Sequence, residues 1–92
     1  MPKDSIDTKM FLAKIYVTLK PTVNDPQGQT VLSSLKTLGF KSAKNVRIGK
    51  YIEILLGDGN HQNAEEQVTA MCDKLLANPV IEDFRYELIE KG

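Results

Sequence analysis

The stretch from residue 45 to residue 56, NVRIGKYIEILL, constrains the fold more than any other part of this sequence. Alternate residues of an extended chain point to the same face, and here one parity is apolar. The apolar residues of that parity are Val46, Ile48, Ile52, Ile54 and Leu56. The opposite face carries Arg47, Tyr51 and Glu53. Because β-branched and aromatic residues dominate, the stretch predicts strand and not helix.

Gly49 and Lys50 interrupt this alternation, at a point where glycine can supply a positive φ or a bulge. A two-residue turn there would pair Val46 with Glu53 and place a carboxylate on the apolar face. A three-residue turn from Gly49 to Tyr51 keeps the apolar residues together, and so does one long strand bent at Gly49. The sequence therefore predicts an odd-length hairpin or a bent strand and leaves these two open.

Two further stretches have the alternation of half-buried strands. Residues 11–20, FLAKIYVTLK, are apolar at every odd position, and Pro21 ends the pattern. Near the end of the chain, Phe84, Tyr86 and Leu88 alternate with charged residues and predict a last strand.

The first predicted helix begins at Asp25-Pro26, where aspartate can cap the free N–H groups and proline suits the first helical position. Its apolar stripe consists of Val31, Leu32, Leu35 and Leu38. Gly39 is placed to end it as the residue after the C-cap.

The second predicted helix follows the central strand, with Asn63 as its N-cap and Glu66 three residues later in a capping box. Its apolar stripe consists of Ala64, Val68, Met71, Cys72, Leu75 and Leu76. Asn78-Pro79 ends it, since the residue before proline disfavours helix.

The predicted elements therefore follow the order strand, helix, central stretch, helix, strand, where the central stretch is either one strand or a hairpin. One antiparallel sheet with both helices on one face would bury every apolar stripe together. We therefore predict an α+β, two-layer sandwich of ferredoxin-like type, with four strands if the central stretch is a hairpin. Residues 1–10 have no apolar period, so we expect a flexible leader before a single domain over residues 11–92.

The composition argues against several classes of protein. Twelve basic residues balance twelve acidic ones, so the basic excess of nucleic-acid-binding and polybasic membrane-surface proteins is missing. No apolar run reaches the roughly 20 residues that cross a bilayer, and the first residues form no apolar signal segment. One cysteine excludes an internal disulfide and fits a reducing compartment. We expect a cytoplasmic protein that binds neither nucleic acid nor membrane.

Few residues offer catalytic chemistry. His61 and Cys72 would lie roughly 16 Å apart on one helix, too far for a catalytic pair, and Cys72 falls on the apolar stripe. Residues 57–60, GDGN, lack the Lys-Ser/Thr of a phosphate-binding loop and the spaced carboxylates of a calcium loop. We expect no catalytic, cofactor-binding or metal-binding residue in this chain.

The remaining candidates are polar or aromatic residues near the central bend and the first helix start. They are Arg47, Lys50, Tyr51, Asp25 and Gln27. Charge and aromatic area at an exposed bend are typical of residues that contact another subunit. The residues alone support equally well the alternative that these are ordinary solvated turn and cap residues.

Four blocks carry a family resemblance, and they follow one another across residues 11–88. They are YVTLK at 16–20, DPQG at 25–28, VRIGKYIE at 46–53, and the segment 71–83. Together they resemble the PurS family, the small subunits of phosphoribosylformylglycinamidine synthase. The chain departs from that pattern in its N-terminal leader, at Thr22 where a glycine-type residue is expected, and in the polar loop 57–63.

The resemblance implies a non-catalytic subunit of an ATP-dependent amidotransferase in purine biosynthesis. A glutaminase subunit releases ammonia from glutamine, and a synthetase subunit converts formylglycinamide ribonucleotide into formylglycinamidine ribonucleotide. The PurS subunit, as a homodimer or higher homo-oligomer, bridges these two and assists ammonia transfer. ATP and magnesium are expected on the synthetase subunit, and no cofactor on this chain.

Two further expectations concern association and alternatives. We expect an edge strand of the central stretch to pair with its twin in a dimer. An amino-acid-binding regulatory domain of ACT type shares the predicted architecture and is the alternative function. An RNA-binding module is disfavoured by the zero net charge.

Overall fold

The computed structural model describes residues 9–57 and 59–91. Within them the elements are β1 (Met10–Leu19), α1 (Pro26–Thr37), β2 (Gly49–Leu56), α2 (His61–Met71), a π-helical turn (Cys72–Leu76) and β3 (Glu82–Lys91). The predicted leader falls on residues 1–10, of which residues 1–8 lie outside the described part, and Met10 already belongs to β1.

The sheet is antiparallel, with β1 between β2 and β3. Ile15 at its centre faces Ile52 on one side and Tyr86 on the other. The buried face of β1 consists of Phe11, Ala13, Ile15 and Val17. Cys72 and the α2 residues Ala64 and Val68 belong to the same core, so α2 covers this face. The predicted α+β class and the half-buried first strand are confirmed.

The central stretch forms one strand and not a hairpin. β2 begins at Gly49, opposite Thr18, and pairs with β1 along its whole length to Leu56, opposite Phe11. The preceding residues Val46 to Ile48 lie outside the sheet. The odd-length hairpin, and with it the four-stranded sheet, is therefore wrong, and so is one long bent strand over the whole stretch, since the strand covers only Gly49–Leu56. The residues of the predicted turn, Gly49 to Tyr51, are themselves paired with β1, so the chain does not reverse its direction there.

Both ends of α1 follow the sequence signals. Asp25 caps its start and Pro26 is its first residue. At its end Gly39 has a φ of +101°, which glycine adopts at little cost. Its N–H donates to the Lys36 carbonyl at 3.0 Å, and the N–H of Phe40 donates to the Leu35 carbonyl at 2.9 Å. These two bonds form a Schellman stop, as predicted.

The position of α1 differs from the prediction that both helices cover the sheet. α2 packs on β1 and β3, whereas α1 makes no substantial contact with any strand. The molecule measures 61 × 28 × 14 Å, and its radius of gyration is 18.2 Å. A compact domain of this length has a radius of gyration of about 12 Å. Residues 20–48, here called the arm, therefore extend the molecule beyond its sheet.

Two details of α2 also differ. Its N-cap is Asn60, whose side-chain oxygen accepts the N–H of Asn63 at 3.1 Å, so the predicted cap at Asn63 is wrong. The helix closes in a π turn, in which the N–H of Ala77 donates to the Cys72 carbonyl at 3.0 Å. A wider turn changes which residues face inward. Leu75, predicted on the apolar stripe, is 81% exposed.

Candidate functional site

Asp25 joins the arm's helix to the chain that returns toward β2. One carboxylate oxygen accepts the N–H of Gly28 at 2.9 Å and caps α1. The other accepts the N–H of Ile48 at 2.7 Å, just before β2 begins. Asp25 is only 4% exposed, so these bonds are shielded from water.

The surroundings of Asp25 favour its charged form. The Ile48 N–H makes the largest contribution and the Gly28 N–H the next, and together they lower the pKa of this carboxyl below its ordinary value. Gly28 is needed for a separate reason. A Cβ there would collide with the Val46 carbonyl oxygen, so only glycine lets the returning segment pass this close to α1.

Three of the five candidate residues meet at this junction. Asp25, Gln27 and Lys50 line one shallow cavity of about 280 Å³. The other lining residues are Val17, Leu19, Ile48, Gly49 and Glu82. Arg47 lines a different cavity, and its guanidinium donates to the Lys20 carbonyl at 2.9 Å, which closes the base of the arm.

Tyr51 points to the sheet face opposite α2. Its ring centroid lies 5.0 Å from that of Tyr16, and the Arg85 guanidinium lies 3.9 Å from the centre of the Tyr16 ring. The Tyr51 hydroxyl donates to Glu53 at 2.6 Å. This bond, more than partial burial, raises the pKa of Tyr51 to about 12. Tyr51 remains 48% exposed, so the cluster is accessible to a partner.

Sequence reasoning missed Tyr16 and Arg85 as members of this aromatic cluster. Both residues lie on the polar face of their strands, and the alternation of polar and apolar residues was the signal that could have placed them there. Their contact depends on the register that sets Tyr16 opposite both Tyr51 and Arg85. Register is a long-range property that the strand patterns do not fix by themselves.

An apolar groove of about 570 Å³ runs between α2 and β2. Its lining residues are Ile54, Gln67, Ala70, Met71, Lys74, Leu75 and Leu76. α2 packs over β1 and β3, which leaves the β2 side of the covered sheet face open. Ile54 is therefore only partly buried although its parity faces α2.

The groups with catalytic potential are separated. Cys72 is fully buried, and that burial raises the pKa of its thiol above the ordinary value. His61 is exposed, with its Nδ1 4.0 Å from Glu65 and its ring in a T-shaped contact with that of Phe11. Among residues 9–57 and 59–91, no three His, Cys, Asp or Glu side chains lie close enough to hold a metal ion. None of the helices described is long and apolar enough to cross a membrane.

Residues 12–90 match the family model PurS, described as phosphoribosylformylglycinamidine (FGAM) synthase. The PurS subunit of Synechocystis is 49% identical over 85% of this chain and 78% of its own length. The Bacillus subtilis subunit is 44% identical over 88% of this chain and 95% of its own.

Solved structures agree with this match. Bacillus subtilis PurS aligns with a TM-score of 0.79 at 43% identity, over 86% of this chain and 98% of that one. A chain in the structure of PurLQS from Thermotoga maritima aligns with a TM-score of 0.80 at 31% identity, over 87% and 98%. This chain therefore belongs to the PurS family of phosphoribosylformylglycinamidine synthase.

Proposed function

We propose that this chain is a small, non-catalytic subunit of phosphoribosylformylglycinamidine synthase in purine biosynthesis, which joins the glutaminase and synthetase subunits and assists ammonia transfer between them. Relatives that are 49% and 44% identical are subunits of that synthase. A similar chain occurs in PurLQS from Thermotoga maritima. ATP and magnesium belong to the synthetase subunit in this proposal, and the complex works in the cytoplasm.

The observation that carries the proposal is the amount of apolar surface that the chain leaves uncovered. Leu38, Phe40 and Leu75 are 72%, 58% and 81% exposed, and a groove lies beside α2. Leu75 lines this apolar groove, and exposed apolar surface gathered at a groove marks a protein contact site. Self-association as a homodimer or higher homo-oligomer is part of the proposal, and β2 is an edge strand that could pair with its twin.

The test is synthesis of formylglycinamidine ribonucleotide by the glutaminase and synthetase subunits, with and without this protein, driven by glutamine or by free ammonia. A joining and transfer subunit raises the glutamine-driven rate and leaves the ammonia-driven rate unchanged. If neither rate responds, the proposed function fails. An ACT-type domain would instead gain thermal stability from an amino acid.

The candidate residues are tested by co-elution with the two large subunits. Tyr51→Ala removes exposed ring area and should weaken binding, whereas Tyr51→Phe, which keeps the ring, should not. Lys50→Ala and Gln27→Ala probe the junction cavity. Arg47→Ala also removes the bond to the Lys20 carbonyl. A loss of binding in this variant can therefore come from a displaced arm as well as from a lost contact with the partner subunit. Unchanged co-elution for all four alanine variants would contradict the interface assignment.

A further inference from the structure

We propose that the turn formed by residues 78–82 docks on a large subunit of the synthase, at an apolar surface of that subunit which also carries a lysine or arginine. This inference rests on the proposed function and adds which part of this chain makes the contact. It uses neither the five candidate residues nor the groove beside α2.

Three consecutive apolar residues are exposed in this turn. They are Pro79, Val80 and Ile81, of which Val80 is 78% exposed and Ile81 is 37% exposed. Among the described residues, neither the hydrophobic core nor the half-buried side chains packed against it include Val80 or Ile81. Single exposed apolar residues are common on protein surfaces, whereas an exposed run of three indicates contact with another molecule.

Hydrogen bonds hold the turn in one shape. The Asn78 N–H donates to Oε1 of Glu82 at 2.6 Å, and the Val80 N–H donates to Oδ1 of Asn78 at 3.0 Å. The N–H groups of Ile81 and Glu82 both donate to the Asn78 carbonyl, at 3.1 and 2.7 Å. Pro79 has no N–H and a fixed φ, so every N–H group of residues 78–82 is bonded.

The turn is also tied to the end of β1. The Ile81 carbonyl accepts the N–H of Lys20 at 2.8 Å, and the Lys20 ammonium pairs with Asp83 at 2.9 Å. A surface held in this way loses little conformational freedom when a partner binds it. The Val80 side chain is stiff at its single χ angle, so ordering it also costs little. The turn therefore presents a preorganised apolar contact.

Charge beside the turn indicates what the partner surface carries. A shallow cavity of about 360 Å³ opens next to Pro79, and its charged lining residues are Asp73, Glu82, Asp83 and Lys20. Three carboxylates against one ammonium leave this cavity negative. A surface that covers the turn is therefore favoured if it places a lysine or arginine side chain over the cavity.

The same charge argues against other occupants. Two copies of this chain placed turn to turn about a two-fold axis would bring these carboxylates opposite each other, and like charges repel. Nucleic-acid phosphates and anionic lipid headgroups are repelled for the same reason. Apart from a second copy, the proteins in the proposed function are the glutaminase and the synthetase, so the partner is one of these two.

Binding of this protein to the glutaminase and synthetase subunits, each alone and both together, tests the apolar contact by calorimetry. Val80→Ser should weaken binding to one large subunit by about tenfold or more, because it removes the apolar side chain from the contact. Val80→Ile keeps an apolar, β-branched side chain at the same position and is the matched control, so it should bind within about threefold of the wild type. Asn78→Ala leaves Val80 in place but removes the acceptor of its N–H, and it should also weaken binding.

The charged contact has its own pair of variants. Asp73→Lys should weaken binding by about fivefold or more at low salt, and by less as the salt concentration rises. Glu90→Lys makes the same charge change at the far end of β3, so it should bind as the wild type does. If Glu90→Lys weakens binding as much as Asp73→Lys does, the effect belongs to net charge, and the place of a basic side chain at the cavity is overturned.

Three further outcomes decide against the proposal. Val80 and Asp73 are both exposed, so their variants should stay folded, and circular dichroism verifies this. Val80→Ser that binds both large subunits as tightly as the wild type overturns the docking turn, and the glutamine-driven assay then decides the joining role separately. Val80→Ser that loses only self-association in sedimentation equilibrium assigns the turn to a second copy and overturns the choice of partner. A wild type that binds neither large subunit, alone or mixed, overturns the proposed function as well.

Discussion

Asp25 uses both carboxylate oxygens, one to cap α1 and one to hold Ile48, and these two roles can be separated by substitution. Serine is a good N-cap but is too short to bridge both donors, so Asp25→Ser should keep the cap and lose the bond to Ile48. We expect a melting temperature about 5 °C lower for Asp25→Ser and roughly twice that loss for Asp25→Ala. Gln27→Ala, at an exposed neighbour, is the control and should melt with the wild type. Equal melting of all four proteins would contradict an anchoring role.

Acid should release the same anchor. The pKa of Asp25 in the folded protein lies below its ordinary value of 3.8, so the carboxylate stabilises the fold above pH 3.8 and this contribution is lost as the pH falls through the lower folded value. The wild type should therefore lose more stability than Asp25→Ser between pH 5 and pH 2.5. Thermal melts of both proteins across that range measure the difference. Parallel curves would show that Asp25 does not cause the acid sensitivity.

Tyr51 gives an independent measure of the open sheet face. The hydrogen bond from its hydroxyl to Glu53 raises the pKa of Tyr51 to about 12. The stability that this bond contributes to the folded protein is therefore present below pH 10 and is lost between pH 10 and 12. Absorbance of the tyrosinate should show a step near pH 12 that is missing in Tyr51→Phe. Glu53→Gln should move this step to lower pH by removing the charged acceptor. Circular dichroism at each pH verifies that the protein is still folded, and an unmoved step in Glu53→Gln would contradict the assignment.

At the scale of elements, the π turn determines which residues after α2 face the core and which face outward. Cys72 is fully buried, whereas Leu75 three residues later is 81% exposed. We expect the Cys72 thiol to react with a disulfide reagent only at the rate of unfolding, because it is buried and its pKa is raised. Leu75→Cys combined with Cys72→Ala places a thiol at the exposed position and should react at once. Similar rates of reaction for the two thiols in the native protein would contradict the assignment of position 72 to the core and position 75 to the surface.

The elements themselves were largely predictable because their signals are local. Asp25, Pro26 and Gly39 mark the ends of α1 through capping chemistry that needs only neighbouring residues. The odd positions of β1 from Phe11 to Val17 are buried as their alternation indicates, and Leu19 at its end is half-buried. The cap of α2 was misplaced because Asn60 and Asn63 are both competent caps and only the backbone geometry chooses between them.

The placement of the elements was less predictable, for a physical reason. The stripe of α1 shows that the helix needs apolar cover, but a stripe does not specify whether its own sheet or another chain provides it. Val46 and Ile48 have the parity of β2, yet the pairing of β2 with β1 stops at Gly49 and Thr18, and the N–H of Ile48 donates to Asp25 instead. The junction depends on Asp25 reaching Ile48, a contact between residues 23 apart in sequence.

For the whole molecule, the self-association included in the proposed function has a thermodynamic consequence. Unfolding of a dimer also dissociates it, so the melting temperature rises with protein concentration, whereas that of a monomer does not. A tenfold increase in concentration should raise the melting temperature by about 3–5 °C, from the usual entropy of unfolding for a domain of this size. A wild-type melting temperature that stays constant from 2 to 200 µM, on the order of the range where such dimers dissociate, would show that the 92-residue chain reaches its stability without self-association.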